Sequence, residues 1–381
     1  MQRREKGTGT IFKTETGWKG KIDIGRGTDG KRKFKTFSGK TEAEVKRKIR
    51  EYNKSGCHHD PSQILFKDYL MNWLVNIKRI ALKPSSYDRL ESTAIKQVIP
   101  RLGTYKISEI TPEDIGNMMS DIKDNGLSYS STKKAFDCVN AVMTYAFNKR
   151  DIPANPALLS VKPNENNFHK KEIRYFTKKE AALITEECRR LYNTGTPVYP
   201  YGDSFILALH TGLRMGELIG LQKSDIDFKN KKLTVRRNAQ IVCKRNADGS
   251  RAPGHRTVLS TTKTYSGIRI ISLNNTALEA AKRLCSSHPE SPNVICGARG
   301  GQVTHERFER SFYRVLDNCG IERTGVHSLR HTFASMLFDQ GIDIKTISTL
   351  LGHASVKITM DTYVHLIRDT GKYAVEALES I

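Results

Sequence analysis

Hydrophobic positions recur with two different periods along this chain, and the changes between them mark out its parts. In the first ~55 residues, Thr10-Ile11-Phe12, Gly17-Trp18-Lys19-Gly20-Lys21-Ile22-Asp23-Ile24 and Lys33-Phe34-Lys35-Thr36-Phe37 are short runs between Gly-rich turns. They predict three strands. Thr41-Glu42-Ala43-Glu44 then opens a helix with a cap and a capping-box-like acid. After a linker from Asn53 to Pro61 the period becomes helical, with Phe66, Tyr69, Leu70, Trp73, Leu74 and Ile77 recurring at three and four. Further helices are predicted after Pro84-Ser85-Ser86, after Thr111-Pro112-Glu113-Asp114 and after Ser128-Tyr129-Ser130-Ser131; Ala135, Val139, Val142, Met143 and Ala146 form the last one's stripe. Pro153-Ala154-Asn155-Pro156 ends this bundle, and Val161 to Lys171 reads as an exposed linker.

The remaining part mixes both periods. Lys231 to Ile241 alternates (Leu233, Val235, Ala239, Ile241), and Ile268-Arg269-Ile270-Ile271-Ser272-Leu273 is a second strand, so Lys263 falls near a hairpin that ends at Ser266-Gly267. The Gly-, Pro- and Asn-rich stretch from Lys244 to Thr257 looks like a loop insertion. Ile342 to Gly352 reads as a helix ended by glycine, which sets His353 on the following turn and Tyr363 on the next short helix. In the last residues, Tyr373, Ala374, Ala377, Leu378 and Ile381 line one face of a further helix. The expected fold class is a multidomain α+β chain: a small three-stranded sheet with a helix (1–58), a helical bundle (62–155), and a mainly helical part with a small sheet (170–381).

Composition adds a partner class. Lys and Arg number 63 against 40 Asp and Glu in 381 residues, a formal charge of +23. A field of that sign draws polyanions, a trait shared by ribosomal, chromatin and membrane-surface proteins. No apolar run near 18 residues suggests a membrane span, and Met1-Gln2-Arg3-Arg4-Glu5-Lys6 lacks a signal peptide's apolar stretch, so a cytoplasmic location without membrane contact is expected. The 7 cysteines are scattered without C-x-x-C, which argues against a disulfide frame or a zinc ribbon. Cys57-His58-His59 is a local metal-like cluster without a partner pair.

The chemistry concentrates in the third part. Arg214 stands in the helix-like Ala208–Leu218 segment, His327 and Arg330 in His327-Ser328-Leu329-Arg330-His331-Thr332, His353 after Leu351-Gly352, and Tyr363 after Met360-Asp361-Thr362. Such a set suits a phosphate diester attacked by a phenol, because arginine forks match phosphate oxygens and stabilise charge that develops there. Each residue also has a plainer reading. Arg214 and Glu217 are spaced for a structural ion pair, His327 and His331 have the i, i+4 spacing of zinc ligands without a nearby Cys or Asp cluster, and Tyr363 alone is an ordinary half-buried aromatic. His331 reads best as a packing or supporting residue.

At these residues the chain resembles the tyrosine recombinases, the phage-integrase family, over roughly its last 200 residues. The resemblance implies an active site of Arg214, Lys263, His327, Arg330, His353 and Tyr363, with Glu217 as an acidic support. Tyr363 would form a 3′-phosphotyrosyl bond, Lys263 would act as general acid and His327 as general base. Neither metal nor other cofactor would be needed. The N-terminal unit resembles arm-type DNA-binding domains of integrases from phages and conjugative transposons, with Trp18, Lys19, Lys21, Arg26, Lys31, Arg32, Lys33 and Lys35 as candidate contacts; Trp18 could equally cover the helix-packed face of the sheet. The bundle resembles the core-binding domain, with Lys83, Lys133 and Lys134 as candidate phosphate contacts. Expected partners are double-stranded core and arm attachment sites and a homotetramer formed on them, with an excision factor or host DNA-bending protein as optional additions. Two alternatives stay open: a type IB-like topoisomerase and a non-enzymatic DNA-binding or architectural protein.

Overall fold

The computed structural model describes residues 10–26, 32–54, 63–168, 173–261, 268–297 and 299–363. They fall into two compact units, Met1–His169 and Lys170–Ile381. Lys31, Cys57-His58-His59, Lys263 and the tail helix expected after Tyr363 lie outside the described residues.

The first unit opens with an antiparallel sheet of β1 (Thr10–Thr14), β2 (Gly17–Arg26) and β3 (Arg32–Gly39), in that order, followed by α1 (Glu42–Lys54). Ile22, Val45 and Ile49 form its core, with Ile11, Trp18, Phe37 and Tyr52 packed against them. Strand alternation therefore turns Trp18 and Ile22 toward the helix and Lys19 and Lys21 away from it.

The bundle's first helix, α2 (Phe66–Trp73), passes through a π-turn over Leu74–Lys78. Phe66, Tyr69, Leu70, Trp73 and Leu74 are core as the periodicity predicts, but Ile77 is 38% and Ile80 84% exposed. The wider π-turn holds an extra residue and rotates everything after it, so the apolar stripe loses phase there. Next come α3 (Pro84–Thr93), α4 (Pro112–Asp124) and α5 (Tyr129–Asn148). Thr111 and Ser128 cap the last two through their hydroxyls, and the whole predicted stripe of α5 is buried. The Pro153–Pro156 segment, where the bundle ends, packs back onto it. Asn155 is buried, donates to Asn140 and Thr144, and carries Ala157 into the bundle's core, so this segment completes the bundle.

The second unit comprises α6 (Lys178–Cys188), α7 (Gly202–Thr211), α8 (Met215–Ile219), β4 (Ile226–Asp227), β5 (Lys232–Val235), β6 (Arg237–Arg245), β7 (Arg251–Thr261), β8 (Arg269–Ser272), α9 (Asn275–Ser287), α10 (His305–Asn318), α11 (His327–Asp339), α12 (Ile344–Leu351) and α13, a short helix over 356–363. Its core centres on α7, where Phe205 meets Phe308 and Phe312 with ring centroids 4.9 Å apart. The alternating run from Lys231 is two strands: β5 joins the β4-β5-β8 sheet, whereas β6 pairs with β7 in a separate ribbon. Ala239 is buried but Ile241 is 45% exposed, because the burial phase shifts along β6 to Val242 and Cys243.

The expected loop insertion at 244–257 is likewise corrected. Arg256 opposes Val242, His255 opposes Cys243 and Arg251 opposes Arg245, so most of the stretch is hairpin. A two-stranded ribbon has only edge strands, which tolerate the missing N–H of Pro253.

Candidate active site

Arg214 sits at a break between helices. α7 ends at Gly212, which adopts φ +63°; a Cβ there would lie 2.5 Å from a Phe333 ring carbon, so both the left-handed turn and the close packing call for glycine. Arg214 then takes an extended conformation as the residue before α8. Glu217 in the first turn of α8 accepts from the Arg214 backbone N–H and from Nη1, each at 2.9 Å. The plain ion-pair reading of Arg214 is thus correct, and it coexists with the converging site. Arg214 remains 34% exposed while Glu217 is only 4% exposed, so the pair anchors the arginine without closing it off.

Two further arginines converge on the same place. Arg330 is buried midway in the first half of α11 and donates to Gly212 O (2.7 Å) and Leu351 O (2.6 Å). Arg269, which opens β8, grips Glu217 with both terminal nitrogens (3.0 and 2.8 Å) and donates from Nε to Leu350 O at 2.7 Å. Arg214 Nη2 takes Gly352 O at 3.0 Å. The carbonyls of Leu350, Leu351 and Gly352 at the end of α12 are therefore each claimed by a different guanidinium. These are orphan acceptors at the negative end of a helix, a favourable place for cations.

The electrostatics favour an anion. Burial alone would raise the Glu217 carboxyl, but hydrogen bonds and charge from Arg269 and Arg214 bring it down to about 2. Arg330 is pushed down to about 9, first by burial and then by the Arg214 charge; it stays charged at neutral pH. Arg214 and Arg269 share the Glu217 carboxylate while Arg330 bonds only carbonyls, and a phosphate would offset the excess positive charge.

His327 starts α11 at an exposed position, and its imidazole is held below the ordinary range by partial desolvation, then by Arg330 and Arg214. His353 follows the left-handed Gly352 and shares a 2.7 Å hydrogen bond between Nδ1 and Thr359 Oγ1. Desolvation, then Arg330, Arg214 and Arg269, lower it to about 4. The His353 ring is therefore neutral at pH 7.

Tyr363 ends the described part of α13 and is 1% exposed. Its ring lies among Ala334, Ile347 and Leu351, with the Phe338 ring centroid at 5.8 Å. Its hydroxyl shares a 2.9 Å hydrogen bond with His331 Nδ1. Burial raises the phenol to about 12 against the lowering pull of Arg330, and His331 is itself lowered to about 4, by desolvation first. Among the described residues it is His331, read from the sequence as a packing or supporting residue, that touches the tyrosine's oxygen.

Sequence reasoning missed Arg269. A signal existed: alternation in β8 places it on the face of buried Ile271, and an arginine on a core face needs a partner. Among the basic candidates, Lys35 lies on a different sheet face from Lys19 and Lys21. It opposes Ile22 and so belongs to the helix-side face, with its ammonium 4.4 Å from the centre of the Tyr52 ring. Lys133 pairs with Asp137 at 2.8 Å, one turn on. Lys83 and Lys134 are exposed. For Arg26, Arg32 and Lys33 the backbone alone is described.

A family model described as the phage integrase family matches residues 174–369, and one for a phage integrase N-terminal SAM-like domain matches residues 65–122. The chain is 26% identical to a XerC-like tyrosine recombinase of Caldanaerobacter subterraneus, covering 94% of this chain and 95% of the relative. It is 25% identical to the ICEBs1 integrase of Bacillus subtilis, covering 89% and 88%. Among solved structures, the Tn1549 transposon integrase in complex with a circular intermediate DNA aligns with a TM-score of 0.65 at 20% identity, covering 83% of this chain and 99% of that one. A lambda integrase tetramer bound to a Holliday junction aligns at 0.58 and 17% identity, covering 95% and 96%.

Proposed function

Because this chain belongs to the phage integrase family, we propose that it integrates and excises a mobile element, with its arginine pocket as the scissile-phosphate site. It is a tyrosine-type site-specific DNA recombinase. The observation that carries the residue assignments is the convergence of Arg214 and Arg330 on consecutive carbonyls beside His353, with Arg214 anchored on the buried Glu217 carboxylate.

In this reading Arg214 and Arg330 hold the non-bridging oxygens of the phosphate, and His353 adds a donor. The Tyr363 oxygen attacks phosphorus as the bond to the 5′ oxygen breaks, which leaves a 3′-phosphotyrosyl link and a 5′-hydroxyl. The phenolic proton passes to a base, assigned to His327, and Lys263 protonates the departing oxygen. The 5′-hydroxyl of a partner strand then reverses the step and releases the phenol. No hydrolysis intervenes, so bond energy is conserved and the arginines supply the electrophilic stabilisation. Because Tyr363 is 1% exposed, α13 must shift before its oxygen can meet a phosphate.

The DNA grip is assigned to the first unit. Lys19 and Lys21 occupy the sheet face away from α1, where a ribbon can enter a groove; Trp18 serves the core instead. The bundle with Lys83 and Lys134 is assigned to core sites and the sheet, with the basic β2–β3 residues, to arm sites. Assembly as a homotetramer on two duplexes, use of an excision factor or a host DNA-bending protein, and action in the cytoplasm complete the reading.

The test is a supercoiled plasmid carrying two attachment sites. Recombinant products with a covalent protein–DNA intermediate support the proposal. Relaxation without exchange would point to a topoisomerase, and binding without an adduct to an architectural protein.

A further inference from the structure

Resting on that reading, we propose that Arg269 is a positioning residue for the cleavage step: through Glu217 and the end of α12 it aims Arg214 and His353 without touching DNA. Its fork faces inward. Both terminal nitrogens are hydrogen-bonded to Glu217 and Nε to Leu350 O, and the residue is 7% exposed. Arg269 therefore has its back to any ligand, while Arg214, on the other side of the same carboxylate, is partly open.

The geometry gives Arg269 two effects. Glu217 is held from both sides, by Arg269 through Nη1 and Nη2 and by Arg214 through Nη1 and its backbone N–H. A carboxylate so held is a fixed stop for the Arg214 guanidinium, which sets the direction of its free N–H groups. Arg269 also packs against the residue before His353. A Cβ on Gly352 would lie 2.9 Å from Nη1 and 3.1 Å from Cδ of Arg269, so the side chain lies close against the glycine turn that delivers His353. Both catalytic groups thus take their aim from one buried side chain at the start of β8, six positions along the chain from Lys263.

A lysine cannot reproduce this arrangement, because its ammonium is a point charge without the planar fork that meets both carboxylate oxygens and Leu350 O together. Removing Arg269 also withdraws the strongest influence that lowers Glu217. The buried carboxyl then rises, and in acid it protonates and releases Arg214.

The experiment compares the unmodified full chain with Arg269→Lys, Arg269→Met and the double variant Arg269→Met/Glu217→Gln. It measures core-site affinity and the single-turnover rate of covalent adduct formation on nicked core-site DNA from pH 5 to 8. Arg269→Lys should bind core DNA as the unmodified chain does yet form adduct about 100-fold more slowly, the scale expected when a reacting group is misplaced by about 1 Å. Arg269→Met should add an acid-side fall in rate that the double variant lacks. If Arg269→Met does not fold, the rate and affinity of Arg269→Lys decide alone. Full-rate adduct formation by Arg269→Lys, parallel losses of affinity and rate in that variant, or a folded Arg269→Met with the unmodified chain's pH profile would overturn the proposal. Absence of adduct in the unmodified chain would instead sink the recombinase reading on which it rests.

Discussion

The arginine pocket and the tyrosine pocket lie on neighbouring helices of the same unit, yet they are built in opposite ways. The arginine pocket is fixed by directional polar bonds: Glu217 holds Arg214 and Arg269, and these two with Arg330 take three consecutive carbonyls at a helix end. Around Tyr363 the packing is apolar, from Ala334, Ile347, Leu351 and Phe338, and among the described residues the hydroxyl bonds His331. A network in which each member fixes the next is preorganised for a developing charge. A ring held by non-directional packing and one hydrogen bond can leave without dismantling that network. The electrophilic half of the site is set in advance, and the nucleophile is stored beside it.

Tyr363→Phe gives the largest effect. It keeps the ring and the apolar packing but deletes the nucleophilic oxygen, so covalent adduct falls to background while core-site affinity stays; a gel-shift and a denaturing gel on one sample read both. Arg330→Lys comes next. Its fork bridges Gly212 O and Leu351 O, and adduct formation should slow by about 100- to 1,000-fold, the scale of losing one preorganised donor. Near-normal cleavage would mean that the arginine pocket is structural only.

Ile347→Ala probes the tyrosine pocket by packing alone. Ile347 is fully buried, and the substitution should cost about 2–5 kcal/mol of stability in urea unfolding, with the arginine contacts untouched. A loss well under 1 kcal/mol would show that the pocket is looser than its burial suggests.

His331→Phe should have the smallest effect, about 1 kcal/mol for one hydrogen bond, together with a change in pH dependence. His331 lies near 4 in the folded chain against an ordinary 6.5, so its neutral burial contributes stability that is complete above pH 6.5 and is lost as pH falls toward 4. His353 contributes in the same window, whereas Glu217, near 2, keeps its charge throughout. Acid should therefore loosen the histidines before the carboxylate. His331→Phe should flatten part of the fall between pH 6.5 and 4 in thermal melts; an unchanged slope would remove His331 from this role.

Local signals account for what was readable in the sequence. The stripe of α5 follows from a 3.6-residue period with Ser128 as cap, and the position of His353 follows from the glycine that ends α12. The order of Arg214, His327, Arg330, His353 and Tyr363 pointed to phosphate chemistry before any contact was known. What escaped depends on backbone events or distant partners. The π-turn that exposes Ile77 leaves no mark in the hydrophobic period. The β6–β7 ribbon hides behind Gly254 and Pro253, which normally punctuate loops. The bond between His331 and Tyr363 joins residues far apart in sequence. Arg269 was the readable omission, since strand alternation alone put it on the core face.

The most direct measurement is the mapping of the protein–DNA bond. Full-length protein is incubated with nicked core-site DNA, denatured and digested, and the nucleotide-bearing peptide is sequenced by mass spectrometry. A 3′-phosphotyrosyl peptide centred on Tyr363, absent from the Tyr363→Phe protein, is the expected result. Strand cleavage with the adduct on another residue, or cleavage with no adduct, would contradict the assignment of the stored tyrosine as the nucleophile.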